Sequence, residues 1–90
     1  MTFHLKIEKR AIKEMKALFK NVQNRIKEKI RTNLSENPFP TGDNDIKKIK
    51  GSQFYRLRVG EYRVFFDIDP EEEQVFILSI RHRSKAYREL

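Results

Sequence analysis

Phe54-Tyr55-Arg56-Leu57-Arg58-Val59-Gly60-Glu61-Tyr62-Arg63-Val64-Phe65-Phe66 is the stretch whose reading decides the fold. Residues two apart on a strand share a face, so Tyr55, Leu57 and Val59 form an apolar row and Phe54, Arg56 and Arg58 the row behind it. Tyr62, Val64 and Phe66 repeat the apolar row, interleaved with Arg63 and Phe65. Only Gly60-Glu61 separates the two runs, which suits a two-residue hairpin turn with glycine supplying positive φ. Counting outward pairs Val59 with Tyr62, Arg58 with Arg63, Leu57 with Val64 and Arg56 with Phe65. One face of this hairpin is core, and the other carries three arginines around an aromatic ring. Setting Arg58 opposite Arg63 costs from a few tenths to about 1 kcal/mol. An anion between them would offset that, because the planar guanidinium fork matches phosphate. The alternative is a solvated face whose arginines splay into water.

Working outward, Phe3, Leu5 and Ile7 alternate with His4 and Lys6 and predict a first strand, with His4 a surface residue. From about Glu8 the period changes. Ala11, Ile12, Met15 and Leu18 fall on a helical stripe, with Lys13, Lys16 and Lys20 turned outward. Asn21 is the expected N-cap of a second helix, in which Val22, Ile26, Ile30 and Leu34 recur every fourth residue. The tight turn between the helices makes them an antiparallel hairpin. Asn37-Pro38-Phe39-Pro40-Thr41-Gly42 ends the helical pattern, and a short edge strand is expected around Ile46 and Ile49.

Beyond the basic hairpin, Asp67-Ile68-Asp69-Pro70-Glu71-Glu72-Glu73 reads as an acidic connection, and Gln74 to His82 as a last strand. There Phe76, Leu78 and Ile80 form the apolar row, with Val75, Ile77, Ser79 and Arg81 opposite. Ser84 to Leu90 is one helical turn or a tail. The order is strand, helix, helix, then three or four strands, so the predicted fold is α+β. It is β-α-α-β-β-β in a single domain over residues 1–90, with the helical hairpin packed on one face of a mostly antiparallel sheet. The opposite face is left for Arg56, Arg58, Arg63, Phe65 and Arg81.

Ninety residues support one domain with one core. The absence of cysteine excludes disulfides and thiolate metal sites, and the two histidines, far apart in sequence, give no recognisable ligand spacing. No metal and no other cofactor is expected. Met1 to Lys6 lacks the apolar run of a signal peptide, and no segment approaches the length of a membrane span, so a soluble, cytoplasmic protein is expected. Twenty Lys and Arg against thirteen Asp and Glu, a net charge of +7, point to a polyanion as partner. The positive charge concentrates near the hairpin: Lys47, Lys48, Lys50, Arg56, Arg58 and Arg63 are answered between residues 47 and 63 only by Glu61.

Metal-free cleavage of RNA fits this inventory. Attack of a 2′-hydroxyl on its neighbouring phosphate needs alignment, a base, stabilisation of the crowded phosphorane and a proton for the leaving 5′-oxygen. Fixed guanidiniums supply the third. Lys47, Lys48, Lys50 and Arg83 are candidate RNA contacts, and Phe65 and Tyr87 candidate platforms for a base, each stack being worth roughly 1–3 kcal/mol. His82 is a candidate acid or base, since imidazole as a group titrates near neutrality, but its parity groups it with Phe76, Leu78 and Ile80, so a core or hydrogen-bonded role competes. Glu71, Glu72 and Glu73 read as a solvated turn rather than a Mg²⁺ site. There is no glycine-rich phosphate loop and no nucleophile elbow.

Two segments together, Lys48-Ile49-Lys50-Gly51 running into Tyr55 to Val64 and the ending Ile80-Arg81-His82-Arg83-Ser84-Lys85-Ala86-Tyr87, resemble the RelE/ParE toxins of toxin–antitoxin modules. The resemblance spans nearly the whole chain. In its RelE branch it implies a ribosome-dependent endonuclease that cleaves mRNA in the A site by 2′-hydroxyl attack. The implied partners are the ribosome, its mRNA and a cognate RelB-like antitoxin that folds on binding as an extended, partly helical acidic segment. DNA association is implied only through the antitoxin. Carried over by position, the resemblance makes Arg56, Arg58, Arg63 and Arg81 the basic residues of the site and Tyr87 the tyrosine that stacks on the base. Arg56 and Arg58 stand where lysines are familiar, and arginine cannot give up its proton, so a charge-stabilising role carries over to these positions and a general-base role does not. Two competing readings remain: a ParE-like toxin that inhibits DNA gyrase without cutting RNA, and a basic module that binds ribosomal RNA and cleaves nothing.

Overall fold

A computed structural model describes residues 2–86. Strand β1 (His4–Ile7) is followed by helices α1 (Lys9–Lys16) and α2 (Lys20–Leu34), then strands β2 (Ile46–Lys48), β3 (Tyr55–Val59), β4 (Tyr62–Asp69) and β5 (Gln74–His82). A 3₁₀ turn over Arg83–Lys85 follows. The five strands form one sheet in the order β1-β5-β4-β3-β2, with β1 parallel to β5 and every other pair antiparallel. This is the expected α+β architecture, with the edge strand at Ile46 making four strands after the helices.

The hairpin register is as counted: Val59 opposes Tyr62, Arg58 opposes Arg63, Leu57 opposes Val64 and Arg56 opposes Phe65. Gly60 sits at φ 57° in the turn, and a Cβ there would come within 3.1 Å of the Arg25 guanidinium. A larger residue at this position is therefore opposed chiefly by the backbone, since the exposed tip of the Arg25 side chain can give way.

The core gathers Ala11 and Met15 of α1, Ile26, Ile30 and Leu34 of α2, and Leu57, Val59, Val64, Phe66, Val75, Ile77 and Ile80 of the sheet. An aromatic run, Phe3 to Phe39 to Tyr55 to Phe66, closes one end of it, with Tyr55 stacked on Phe66 at 5.6 Å between centroids. Phe39 comes from the proline-containing loop, which thus ends a helix and also contributes to the core.

Three sequence expectations are corrected. The N-cap of α2 is Phe19, not Asn21, and no side chain caps the helix. Asp67, Ile68 and Asp69 extend β4, leaving Pro70 to Glu73 as the turn, with Glu73 at φ 53°. In β5 the core-facing residues are Val75 and Ile77 together with Ile80, not Phe76, Leu78 and Ile80. The cause is a β-bulge: Phe65 pairs with Ser79 while Phe66 pairs with Ile77, so Leu78 is an extra residue in β5 and strict alternation fails there. Arg81 keeps its expected side, opposite to Ile80.

α1 also protects an edge. Among the described residues β1 pairs only with Gln74 to Ile77, and no other strand neighbours the rest of β5 on that side. Glu8 N–H donates to the Ile77 carbonyl at 2.9 Å, and the Ile80 N–H donates to the Glu14 carboxylate at 2.9 Å. Capping an edge in this way, by one backbone and one side-chain group of the helical segment, opposes pairing with a foreign strand.

Candidate nucleic-acid interface

On the sheet face away from the core, pairing sets side chains in two transverse rows. Lys47, Arg56, Phe65 and Ser79 lie across β2, β3, β4 and β5, and Arg58, Arg63 and Arg81 lie across β3, β4 and β5 one step further on. Neighbouring strands are about 4.8 Å apart, so the second row packs three guanidinium-bearing positions side by side.

Acids stand at both ends of the arginine row. Next to Arg58, Asp45 accepts from its Nη2 at 3.0 Å and from Lys29 Nζ of α2 at 2.6 Å. The Lys29 hydrogen bond, seconded by Arg58, holds the Asp45 carboxyl below the usual carboxylate range against the opposing effect of its burial. Next to Arg81, Nε donates to Ser79 Oγ at 2.8 Å, and Glu14 Oε2 lies 3.9 Å away. Arg63 is in the middle, and its Nη1 donates to the carbonyls of Gly60 at 2.9 Å and Tyr62 at 3.0 Å. Partial burial and then the charges of Arg56 and Arg58 lower the Arg63 pKa, with Arg83 adding to the shift and Glu61 opposing it. Arginine remains protonated throughout the working range, so the shift marks a site of crowded positive charge rather than a base.

Lys47, Arg56, Arg58 and Arg63, with Asn44 and Asp45, line a cleft of about 370 Å³. A neighbouring cleft of about 400 Å³ joins Arg58 and Arg63 to Arg83, whose Nε pairs with Glu61 at 2.7 Å. The structure thus brings together Lys47, Arg56, Arg58, Arg63 and Arg83, with Arg81 next in the row and only 7% exposed.

Three candidates stand elsewhere. Lys48 points to the core-side face, where it lies 5.9 Å from the Tyr55 ring and bonds the Ser52 carbonyl, because a strand residue next to Lys47 must face the other way. Lys50 is exposed in the turn after β2. Phe65 is 1% exposed and offers no platform to a base, since β4 is buried on both faces at Val64, Phe65 and Phe66. Tyr87 lies outside the described residues.

His82 shares a face with its partner Tyr62, across the strand from Arg81, and its ring meets Tyr62 edge-on at 5.4 Å. It is exposed rather than core, and its Nδ1 accepts from the Ser84 N–H at 3.2 Å, so the hydrogen-bonded reading holds. Among the described residues no group of three or more His, Asp or Glu side chains is placed to hold a metal ion, and no helix is long and apolar enough to cross a membrane. The sequence reading missed Asp45, Glu14 and Ser79. Only Ser79 had a visible signal, its parity with Arg81.

A family model described as the ParE toxin of the type II toxin–antitoxin system parDE matches residues 5–87. The chain belongs to the RelE/ParE toxin family. Within that family it is 37% identical to RelE1 of Methanocaldococcus jannaschii over 89 residues, 98% of each chain. It resembles RelE/ParE structures solved with RelB: the Pyrococcus horikoshii OT3 RelE–RelB complex at 31% identity and a TM-score of 0.78, covering 96% of this chain and 100% of that one. The Methanococcus jannaschii RelB–RelE complex matches at 27% identity and a TM-score of 0.69, covering 94% and 98%. RelE/ParE membership accounts for the helical hairpin on a five-stranded sheet.

The depressed Asp45 pKa has a testable consequence for this RelE/ParE chain. A carboxylate whose folded pKa lies below its unfolded value of about 3.9 contributes stability above that value and loses it as pH falls through the folded pKa. Wild type is therefore expected to exceed Asp45→Asn in urea midpoint at neutral pH, with the gap closing as the pH drops below about 4. A gap that persists unchanged in acid would remove Asp45 from the ionic network.

Proposed function

We propose that this chain is a ribosome-dependent endoribonuclease that cleaves mRNA in the A site without a metal ion. The observation that carries the proposal is the row Arg58, Arg63 and Arg81 beside Arg56 and Lys47 on the face of the sheet turned from the helices. In the reaction, the O2′–P bond forms as the P–O5′ bond breaks. Charge gathers on the non-bridging phosphate oxygens, where guanidiniums act strongest. The products are a 2′,3′-cyclic phosphate and a 5′-hydroxyl.

None of the arginines accepts the 2′-hydroxyl proton. His82 faces the other side of β5, so in this reading the base for the 2′-hydroxyl and the proton for the leaving 5′-oxygen are both supplied by the ribosome together with the message it holds. His82→Gln is accordingly expected to cleave within about twofold of wild type from about pH 6 to about pH 9. Loss of the alkaline or acid limb of the profile in that variant would return the histidine to the mechanism.

A RelB-like antitoxin is the proposed partner, as it is in the solved complexes. An acidic segment laid over the cleft would compete for the arginines with the phosphate they are proposed to bind. A second reading, gyrase inhibition, takes its support from the ParE description of the matching family model. Adding the purified chain to a translating extract separates the two. Primer extension is expected to find new message ends within codons, with free RNA cut poorly. Intact messages together with blocked supercoiling by purified gyrase would favour the second reading.

A further inference from the structure

α1 places Glu14 where the edge of β5 beyond its pairing with β1 meets the basic face. Its Oε1 accepts two hydrogen bonds, from the Ile80 N–H and from the Ser79 hydroxyl, both at 2.9 Å. The Ser79 Oγ in turn accepts the Nε–H of Arg81 at 2.8 Å. Glu14 Oε2 lies 3.9 Å from Arg81 Nε and 3.6 Å from Arg10 Nε. Ser79 is 3% and Arg81 7% exposed, so the bond between them is largely shielded from water, while the Glu14 side chain keeps 27% of its surface exposed.

The direction of the relay matters. A carboxylate oxygen only accepts, so it turns the serine proton toward itself and leaves an oxygen lone pair for the arginine. Hydrogen bonds chained in one sense reinforce one another, and more so where the surroundings are poorly polar. Capping the edge of β5 would need only the bond from Ile80 to Glu14. The serine bridge is unnecessary for that, and it ends on the arginine beside Arg63.

We propose that Glu14 and Ser79 are positioning residues for Arg81: the serine, oriented by the carboxylate, fixes the plane of the guanidinium. This rests on the reading of Arg81 as part of the RNA-cleaving row. Without the serine bond the guanidinium is held less closely to one plane and meets the phosphorane in the right orientation less often, so the rate falls while ribosome binding does not.

The test uses single-turnover cleavage on ribosomes programmed with a defined message, with Ser79→Ala and Glu14→Gln made in wild type and in Arg81→Ala. Ser79→Ala leaves the bond from Ile80 to Glu14 in place and is expected to lower the maximal rate roughly tenfold without moving the half-saturating ribosome concentration. Glu14→Gln keeps an oxygen for both hydrogen bonds and is expected to lose less. Neither substitution should reduce the residual rate of Arg81→Ala, because both act through that residue. Separately, the Arg81 Nε–H of the chain alone, followed by nitrogen-15 NMR, should exchange slowly in wild type and much faster in Ser79→Ala. Wild-type rate in Ser79→Ala, an added loss on top of Arg81→Ala, or unchanged Nε–H exchange would overturn the positioning role. If wild type leaves messages intact, the nuclease reading falls by itself, and the exchange measurement still decides whether serine and glutamate hold the arginine.

Discussion

Arg63→Ala is expected to lower single-turnover cleavage of ribosome-bound message by about 10²–10³-fold, the size of effect seen when one oriented donor to a developing oxyanion is removed. Arg63 is the residue for which the largest loss is expected because it holds the centre of the row. It lies opposite Arg58 on one side and Arg81 on the other, and its donors are oriented by carbonyls of its own hairpin. Stability should move the other way. Removing the middle one of three neighbouring cations relieves repulsion worth up to about 1 kcal/mol for each pair, so the variant should melt no lower than wild type. A rate loss accompanied by a lower melting point would instead indicate that the arginine supports the hairpin.

Phe66→Ala is expected to destabilise the protein by about 3–5 kcal/mol, the range for truncating a fully buried phenylalanine. The ring is 0% exposed, stacks on Tyr55 and sits opposite Ile77 beside the bulge. Domains of this size are stable by only about 5–15 kcal/mol in total, so a thermal midpoint lower by at least about 12 °C should follow. Urea denaturation gives the free-energy difference directly. A loss of less than about 1 kcal/mol would mean that neighbouring side chains collapse into the space, contrary to the close packing of Val64, Phe66 and Ile77.

These two residues also mark what the sequence disclosed. Gly60-Glu61 leaves one plausible hairpin register, and a period of two then assigns every side chain of β3 and of the first part of β4 to a face. Arg56, Arg58 and Arg63 were legible on that ground alone. β5 was not, because the bulge at Leu78 resets its alternation, and nothing in a run of apolar residues announces an extra one. Arg81 was assigned to the correct face since it lies after the bulge with Ile80. Phe65 looked like a solvent-facing ring because periodicity gives the face of a residue and not what covers that face.

Asp45 and Glu14 escaped for a different reason. Each reaches the row from an edge of the sheet, one from the loop before β2 and the other from α1, and contacts made by tertiary packing leave no local spacing to read. Together they bracket three arginines with two acids. Such an arrangement orients the outer guanidiniums and leaves Arg63, the central one, paired chiefly with backbone carbonyls in its own hairpin.

The central claim is that these guanidiniums stabilise a pentacoordinate phosphate formed by the message's own 2′-oxygen. Mass spectrometry of the upstream fragment, recovered from programmed ribosomes treated with the chain, tests it most directly. A 2′,3′-cyclic phosphate at the new end is the predicted product, abundant with wild type and scarce with Arg63→Ala. A 3′-hydroxyl end, or a cyclic phosphate that forms equally fast without Arg63, would contradict the account.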